Sequence, residues 1–420
     1  MTMIEGAMQA MGDRARAAFE SVRMTPAAAR TAALHAMADA LERGADEILA
    51  ANEDDVARAR QGDMADAMLD RLALTRDRVA GMADGLREIA GQTDPVGVED
   101  ERWTPPSGLD IARVRVPIGV LAVIYESRPN VTVDAAALCV RSGNALILRS
   151  GSAALASAIA IHAALVEGLT KAGLPGDLVQ LVSTPDRAAV GALLTGLNGA
   201  IDLIVPRGGR SLVQRVQSEA RAPVLGHLEG LCHTYLHTAA DPEKARRIVL
   251  NAKMRRVTVC GATETLLVDA SVADALLRPV ADDLLAAGCV LRGDARTCAI
   301  LPEATPAVEA DWTTEHLAPI LAIRVVDGMA EALAHIARHG SGHTDAIVTE
   351  DPAAAAEFLD RVDSAIVMHN ASTQFADGGQ FGFGGEIGIA TGRLHARGPV
   401  GAAQLTTYKY LVRAQGAVRP

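Results

Sequence analysis

Apolar positions in the first hundred residues repeat at helical spacing. Gly91 and Pro95 follow this stretch and are typical of the end of a helix. Residues 110–115 instead alternate apolar and charged side chains, which predicts an exposed strand. The N-terminal region is therefore predicted to be helical and to lead into a short strand. The apolar positions that recur every three, four or seven residues, and so share one stripe of a helix, are Leu69, Leu72, Val79, Met82, Leu86 and Ile89.

From residue 118 onward, buried strands alternate with helices. The continuous apolar run at 118–125 predicts a strand that is covered on both faces. A second block with the same alternation begins near residue 241. Repeated βα units with short connections predict parallel sheets flanked by helices, so the fold class is α/β. Further strands are predicted at 145–148, 178–182, 201–205, 224–225, 266–268, 298–301, 320–326, 346–348, 365–368 and 405–412.

Composition narrows the class of protein. The 420 residues suggest two or three domains, and 49% hydrophobic with 22% charged residues argues against disorder. A formal net charge of −11 argues against a nucleic-acid or anionic-membrane binder. The most apolar helical stretch, 153–165, is shorter than the ~20 residues of a membrane span. Five cysteines at irregular spacing indicate reduced thiols, so we expect a soluble, cytoplasmic protein without membrane association.

Cys260 is a candidate nucleophile. It lies between a predicted helix and a predicted strand, where a thiolate can attack an acyl carbon and backbone N–H groups can hold the oxyanion. The alternative is a small buried side chain that only packs, which is the usual role of a free cysteine.

Three histidines and a cysteine that lie close together in the sequence are candidate metal ligands. His227, Cys232, His233 and His237 lie within eleven residues of one another. They show neither the Cys-x-x-Cys nor the His-Glu-x-x-His spacing of zinc sites, so we predict no metal and regard them as buried or hydrogen-bonded side chains.

Two glycine-rich segments suit negatively charged ligands. Gly208 and Gly209, between a strand and a helix, can admit a pyrophosphate or form a tight turn. The run 378–386 precedes Arg393, His395 and Arg397, a pattern that fits an anionic substrate, a mobile lid or a solvated loop.

Two acidic side chains stand apart from basic ones in the sequence. Glu229 and Glu315 each fit a general base, a ribose-binding carboxylate or an ordinary hydrogen-bonded acid.

Seven segments that span essentially the whole chain are informative when they are taken together. They are 116–132 (VPIGVLAVIYESRPNVT), 251–253 (NAK), 260–268 (CGATETLLV), 342–350 (GHTDAIVTE), 381–391 (FGFGGEIGIAT), 395–399 (HARGP) and 405–409 (LTTYK). In this order they resemble the γ-glutamyl phosphate reductases, a branch of the aldehyde dehydrogenase superfamily.

The resemblance implies an aldehyde dehydrogenase-like fold. Its Rossmann-type NADP-binding domain would comprise residues 1–108 and 118–250, and its α/β catalytic domain residues 251–370. A small β oligomerisation arm and tail would comprise 109–117 and 385–420. By the same resemblance we expect a homodimer or a dimer of dimers.

The activity implied is NADPH-dependent reduction of L-glutamyl 5-phosphate, supplied by a separate glutamate 5-kinase, to glutamate 5-semialdehyde in proline biosynthesis. Cys260 would form a thioester, and its N–H with the Asn130 amide would hold the oxyanion. Two rivals remain: a non-phosphorylating aldehyde dehydrogenase that uses Glu229, and a non-catalytic protein of the same fold.

The resemblance also implies ligand contacts. Arg149 and Ser152 fall at the adenosine ribose, where this pair favours NADP over NAD. Contacts with substrate phosphate or carboxylate are expected from three basic residues. These three residues are Arg128, Arg397 and Lys409. The remaining cofactor positions are Gly208 and Gly209 at the pyrophosphate and Glu315 at the nicotinamide ribose.

Three positions depart from the pattern of this family. Gly261 stands where an asparagine is usual, and Gln374 replaces an arginine that would contact an anion. The segment around Glu229 is variable, so the resemblance assigns that residue no role.

Overall fold

The computed structural model describes residues 2–419 and divides the chain into two compact units. The first comprises the residues up to 226, then 382–388, then those from 400 onward. The second comprises 227–381 and 389–399.

The N-terminal region is helical as predicted, but the single helical stripe predicted from Leu69 to Ile89 is divided between two helices, because one ends at Leu72 and the next begins at Arg76 with Thr75 as its N-cap. The helices are α1 (Met3–Val22), α2 (Ala27–Arg43), α3 (Ala45–Gln61), α4 (Asp66–Leu72), α5 (Arg76–Gly91), α6 (Asn130–Arg141), α7 (Leu155–Lys171), α8 (Arg187–Leu194), α9 (Arg210–Glu219), α10 (Pro242–Met254), α11 (Ala273–Ala286), α12 (Ala295–Ile300), α13 (Gly328–His339) and α14 (Pro352–Arg361).

The strands are short, as expected of an α/β protein. They are β1 (Glu99–Trp103), β2 (Asp110–Pro117), β3 (Val120–Tyr125), β4 (Ala145–Arg149), β5 (Val179–Leu181), β6 (Leu203–Arg207), β7 (Cys232–Leu236), β8 (Thr263–Asp269), β9 (Val290–Gly293), β10 (Thr305–Pro306), β11 (Ile320–Val326), β12 (Thr344–Val348), β13 (Ile366–His369), β14 (Ile389–Ala390), β15 (Gly398–Pro399) and β16 (Thr406–Arg413).

The first unit is built on a four-stranded parallel sheet with the order β5-β4-β3-β6. Every residue of β3 is buried, as its continuous apolar run predicts. Because the strands are parallel, the loops after β3, β4 and β6 meet at one edge of the sheet, where α/β proteins bind ligands.

A separate antiparallel sheet of the first unit has the order β1-β2-β16. β2 and β16, which fall in the two segments expected to form the oligomerisation arm and tail, pair with each other over the whole length of β16. β1 was not predicted.

The second unit contains a seven-stranded parallel sheet with the order β10-β9-β11-β8-β7-β12-β13. Its order explains why the chain divides at 226/227 and not at the predicted 250/251, because β7 pairs with β8 on one side and β12 on the other. The same order brings the segments that precede β7, β8 and β12 to one edge.

Two predicted strands of the α/β blocks are wrong or much reduced. Residues 298–301 were predicted as a strand, but most of this stretch belongs to helix α12, which the Asp294 carboxylate caps by accepting a hydrogen bond from the Thr297 amide at 2.8 Å. The predicted strand 224–225 forms only an isolated bridge between Val224 and Ile204.

One helical segment of the described chain, Ser152–Lys171, is long and apolar enough to cross a membrane, and is longer than the predicted stretch 153–165. Core helices of soluble proteins meet the same test, and 44% of its most apolar window is buried within the chain. The absence of membrane association stays a prediction.

Candidate active site

Three side chains of the second unit meet at one edge of its sheet. Cys260 lies in the turn between α10 and β8, His343 directly precedes β12, and His227 lies in the loop before β7. The Cys260 sulfur and one ring nitrogen of each histidine lie within 4.8 Å of one another. The strand order β8-β7-β12 therefore assembles residues that are 33 and 83 positions from Cys260 in the sequence.

The electrostatic surroundings favour the thiolate form of Cys260. Burial raises the pKa of this thiol, but the charges and hydrogen bonds of His343 and His227 outweigh burial and hold the pKa well below its ordinary value. Cys232, whose thiol donates to the Cys260 carbonyl oxygen at 3.1 Å, behaves in the opposite way because burial raises its pKa well above the ordinary value. Of these two neighbouring thiols, only Cys260 has the character of a nucleophile.

The backbone fixes the orientation of the His227 ring. Its Nδ1 lies 2.7 Å from the carbonyl oxygen of Ile389, so Nδ1 carries the proton and donates it to that oxygen. The rings of His227 and His343 meet edge to face, with their centroids 4.9 Å apart. His343 is fully buried, and its Nδ1 lies 2.8 Å from the Thr344 hydroxyl.

Gly230 allows the loop before β7 to approach the nucleophile. A Cβ atom at this position would lie 2.0 Å from the Cys260 carbonyl oxygen, so only glycine fits. The Gly230 amide donates a hydrogen bond to Glu315 at 3.1 Å. Burial raises the pKa of Glu315, and the nearby Cys260 thiolate raises it further. Glu315 thus lies beside the nucleophile, with its pKa raised although the Gly230 hydrogen bond lowers it.

A buried ion pair lies behind the Cys260 turn and was missed in the sequence. The Lys253 ammonium donates to Glu264 at 2.7 Å, and both side chains are almost completely buried. Burial raises the pKa of Glu264 to about 7 even though Lys253 lowers it. Lys253 belongs to the motif Asn-Ala-Lys, so motif identity was the available signal, but nothing in the sequence indicated its partner.

The two departures Gly261 and Gln374 adjoin each other in space. A Cβ on Gly261 would lie 3.6 Å from the Gln374 Cα and 3.0 Å from the Thr373 carbonyl oxygen. The Gln374 side chain is buried and donates to the Ala252 carbonyl at 2.9 Å, near the end of α10. Gln374 therefore has a structural role at the helix terminus.

Two other members of the histidine–cysteine cluster, His233 and His237, have partners other than Cys260. His233 pairs with the buried Asp345 at 2.8 Å, and His237 contacts the Thr349 hydroxyl at 2.9 Å. Among the described residues, the one group close enough to share a metal is His227, Cys260 and His343, so the prediction that the protein uses no metal stays untested.

In the first unit, the Gly208–Gly209 turn is occupied by a side chain. The Gly209 amide, at the N-terminus of α9, donates to the Glu126 carboxylate at 2.8 Å. A Cβ on Gly208 would lie 2.6 Å from the Glu126 side chain. The turn therefore does accept an anionic group, and in this structure that group is a carboxylate.

Ser152 lines a cavity near the carboxyl end of β4, and Arg149 is the last residue of that strand. The Arg149 guanidinium donates to the Pro185 carbonyl at 3.2 Å. Burial lowers the pKa of Arg149, and the neighbouring guanidinium of Arg187 lowers it further. The cavity, of about 600 Å³, is lined by Arg58, Ser152, Leu155, Ile159 and Pro185 among others. One cation, a hydroxyl and apolar walls line the cavity, and the Arg149 guanidinium bonds to one of its lining residues; together these groups suit a phosphorylated adenosine.

The other candidate residues lie in varied surroundings. Asn130 begins α6 and its amide donates to Asp134 at 2.9 Å, but it belongs to a different unit from Cys260. Arg397 is paired with Asp363 at 2.8 Å in the second unit. Lys409 is exposed on β16 and Arg128 is partly buried before α6, both in the first unit.

The chain is similar to known proteins over nearly its whole length. A family model described as the aldehyde dehydrogenase family matches residues 5–287 and 291–411. A γ-glutamyl phosphate reductase from Caulobacter sp. (strain K31) is 62% identical over 417 residues, which cover 99% of this chain and 100% of the relative.

Solved structures give the same result. A crystal structure of γ-glutamyl phosphate reductase from Thermotoga maritima matches with a TM-score of 0.95 at 41% identity, covering 98% of this chain and 100% of that one. An acetylating aldehyde dehydrogenase from Geobacillus thermoglucosidasius, with a TM-score of 0.72 at 19% identity and coverage of 99% and 98%, shares the fold. The chain therefore belongs to the aldehyde dehydrogenase family and, within it, to the γ-glutamyl phosphate reductases.

Proposed function

We propose that this protein reduces L-glutamyl 5-phosphate to L-glutamate 5-semialdehyde and phosphate, with NADPH as the hydride donor and a Cys260 thioester as the intermediate. The observation that carries the proposal is the position of the Cys260 sulfur within 4.8 Å of ring nitrogens of His227 and His343, whose charges lower the pKa of the thiol. A thiolate attacks an acyl phosphate readily, whereas a neutral thiol does not. The 62% identity to a named γ-glutamyl phosphate reductase supports the choice of substrate.

The reaction needs an oxyanion site. After attack by Cys260, and again after hydride transfer, negative charge develops on the carbonyl oxygen of the substrate. We assign its stabilisation to the Cys260 N–H and the Asn130 amide. Removing one such donor typically lowers the rate about 100- to 1,000-fold.

The cofactor assignment concerns the first unit and Glu315. Arg149 and Ser152 would bind the 2′-phosphate and ribose of NADPH. The Gly208–Gly209 turn would bind the pyrophosphate, and Glu315 the nicotinamide ribose. The adjacent guanidiniums of Arg149 and Arg187 support this assignment, because two neighbouring cations are stabilised by an anion bound between them.

The substrate phosphate and carboxylate need further contacts, for which Arg128, Arg397 and Lys409 remain proposals. Arg397 would have to leave Asp363 in order to bind substrate. The separate kinase, the cytoplasmic location and the homodimer or dimer of dimers likewise remain predictions.

The test is oxidation of glutamate 5-semialdehyde in the presence and absence of phosphate, with NADP and with NAD. We expect turnover that requires phosphate and is faster with NADP. Cys260→Ser should abolish turnover and leave NADPH binding unchanged, and Cys298→Ser, at a thiol that packs in the second unit, is the matched control. Aldehyde oxidation without phosphate would instead favour a non-phosphorylating dehydrogenase, and no turnover with any aldehyde a non-catalytic protein.

A further inference from the structure

Two histidines, His227 and His343, lie beside Cys260, and the proposed reaction gives neither of them a step. The Cys260 sulfur and one ring nitrogen each of His227 and His343 lie within 4.8 Å of one another. Their positions differ in one respect that decides their roles. His343 is fully buried, whereas His227 is partly exposed and can exchange a proton with solvent.

The orientation of His227 leaves one nitrogen for the nucleophile. Nδ1 donates to the Ile389 carbonyl at 2.7 Å, so Nε2 is the nitrogen that serves the thiol. Cys260, His227 and the Ile389 carbonyl thus correspond to a nucleophile, a base and an oxygen that orients the base. The same arrangement activates cysteine and serine in unrelated hydrolases. Here the third member is a backbone carbonyl, which also stabilises the ring once Nε2 is protonated.

The leaving group also requires a proton. An acyl phosphate carries two negative charges near neutral pH, and cleavage without a proton would release a trianion. A protonated imidazole beside the reacting sulfur can supply that proton. We propose that His227 is a catalytic acid–base residue that takes the Cys260 proton and delivers it to the departing phosphate.

The steps balance, and they rest on the proposed function for their substrate and hydride. The thiol proton moves to Nε2 of His227, and the sulfur forms a bond to the acyl carbon. The carbon–oxygen bond to phosphate breaks, its electron pair stays on that oxygen, and the proton from Nε2 joins it to give hydrogen phosphate. Hydride from NADPH then reaches the thioester carbon, and collapse of the thiohemiacetal returns an electron pair to sulfur. One proton from solvent then restores the Cys260 thiol.

His343 has a different part in the same cluster. It is enclosed by Thr344 and Cys232, with its Nδ1 2.8 Å from the hydroxyl and 3.6 Å from the sulfur. Glu315 is the acidic group that faces both histidines and Cys260. Because His343 has no exposed surface, it stabilises the thiolate and does not exchange the reaction's proton with solvent.

The test separates activation of the thiol from protonation of phosphate. The alkylation of Cys260 by iodoacetamide is followed against pH in the parent, His227→Gln and His343→Gln, with a chelator present because cysteine and histidine this close can trap zinc. Both variants should shift the alkylation profile toward the pH of an ordinary thiol, about 8.5. Neither NADPH nor glutamyl phosphate is needed, so this arm stands even if the proposed substrate is wrong.

The second arm compares two acyl donors at pH 9, where the thiol ionises without help. Acylation by p-nitrophenyl acetate, whose leaving group is a stable anion, should recover in both variants. Acylation by an acyl phosphate should recover in His343→Gln but stay about 100-fold slow in His227→Gln. His237→Gln, at a histidine bonded to Thr349, should behave like the parent in both arms. Full recovery of the acyl phosphate reaction in His227→Gln, or an unshifted alkylation profile, would overturn the proposal.

Discussion

The Glu126 carboxylate accepts a hydrogen bond from the Gly209 amide at 2.8 Å, at the N-terminus of α9. This is the amide that the proposed function gives to the cofactor pyrophosphate. Helix N-termini attract anions through their unpaired N–H groups and the helix dipole. A carboxylate and a phosphate cannot both accept from the same amide, so we expect Glu126 to compete with the cofactor.

Replacing Glu126 with glutamine should therefore strengthen NADPH binding. A charge at a helix N-terminus contributes about 0.3–1 kcal/mol, which corresponds to a roughly two- to fivefold lower Kd. The measurement is a fluorescence titration of NADPH. Glu219→Gln, at the opposite end of α9, is the control and should leave the Kd unchanged. A Kd that stays the same or rises in Glu126→Gln would mean that Glu126 does not compete with the cofactor.

Helices and strands were predictable from the sequence where the pattern of apolar residues fitted only one of the two. The continuous apolar run at 118–125 could only be a buried strand, and β3 is one. The short run at 298–301 was ambiguous between helix and strand, and the capping carboxylate of Asp294, four residues earlier, decides for helix.

The site was predictable only in part, because the local periodicity of apolar residues predicts strands but not the order of the strands in a sheet. Cys260 stood out from its loop, whereas His343 becomes its neighbour only because β12 lies beside β7. The Lys253–Glu264 pair was missed for a related reason, since burial of a lysine depends on what packs around the end of its helix.

The Lys253–Glu264 pair gives a prediction about stability. Lys253→Met leaves a buried carboxylate without a cation, which typically costs about 3–5 kcal/mol of unfolding free energy. Adding Glu264→Leu should restore most of the loss. Urea unfolding followed by circular dichroism measures both variants. Equal stability of the single and double variants would contradict a buried charge pair.

The same pair gives the sign of a pH dependence. Burial raises the pKa of Glu264 from 4.5 to about 7 in the folded protein. A raised pKa contributes stability that is complete below pH 4.5 and is lost as the pH rises through about 7. Without Lys253 the carboxyl is harder still to ionise, so Lys253→Met should be less destabilising at pH 5.5 than at pH 8. A loss that does not change with pH would contradict this account.

The outer strand β16 gives a prediction about assembly. It lies at the edge of its sheet with Tyr408, Tyr410 and Val412 more than half exposed. Long apolar edges pair with other chains unless they are covered. We expect a homodimer or dimer of dimers through this edge, and Tyr410→Lys should weaken it about 30-fold. Sedimentation velocity measures the mass, with Val418→Lys outside the sheet as control. An active parent monomer would contradict the prediction.

The last prediction concerns the choice between NADPH and NADH. The 2′-phosphate carries close to two negative charges, so it requires cations and no carboxylate nearby. Ser152→Glu places a carboxylate at the cavity beside Arg149 and should weaken NADPH far more than NADH, by about 1–3 kcal/mol or roughly 5- to 150-fold. Arg149→Ala and Arg187→Ala should shift the preference in the same direction, and added salt should shrink all three effects. The measurement is kcat/KM for both cofactors, with Arg215→Ala, on the exposed side of α9, as the control. A parent that prefers NADH, or a ratio unchanged by Ser152→Glu, would mean that the adenosine lies elsewhere, because a new carboxylate cannot be neutral toward a phosphate it faces.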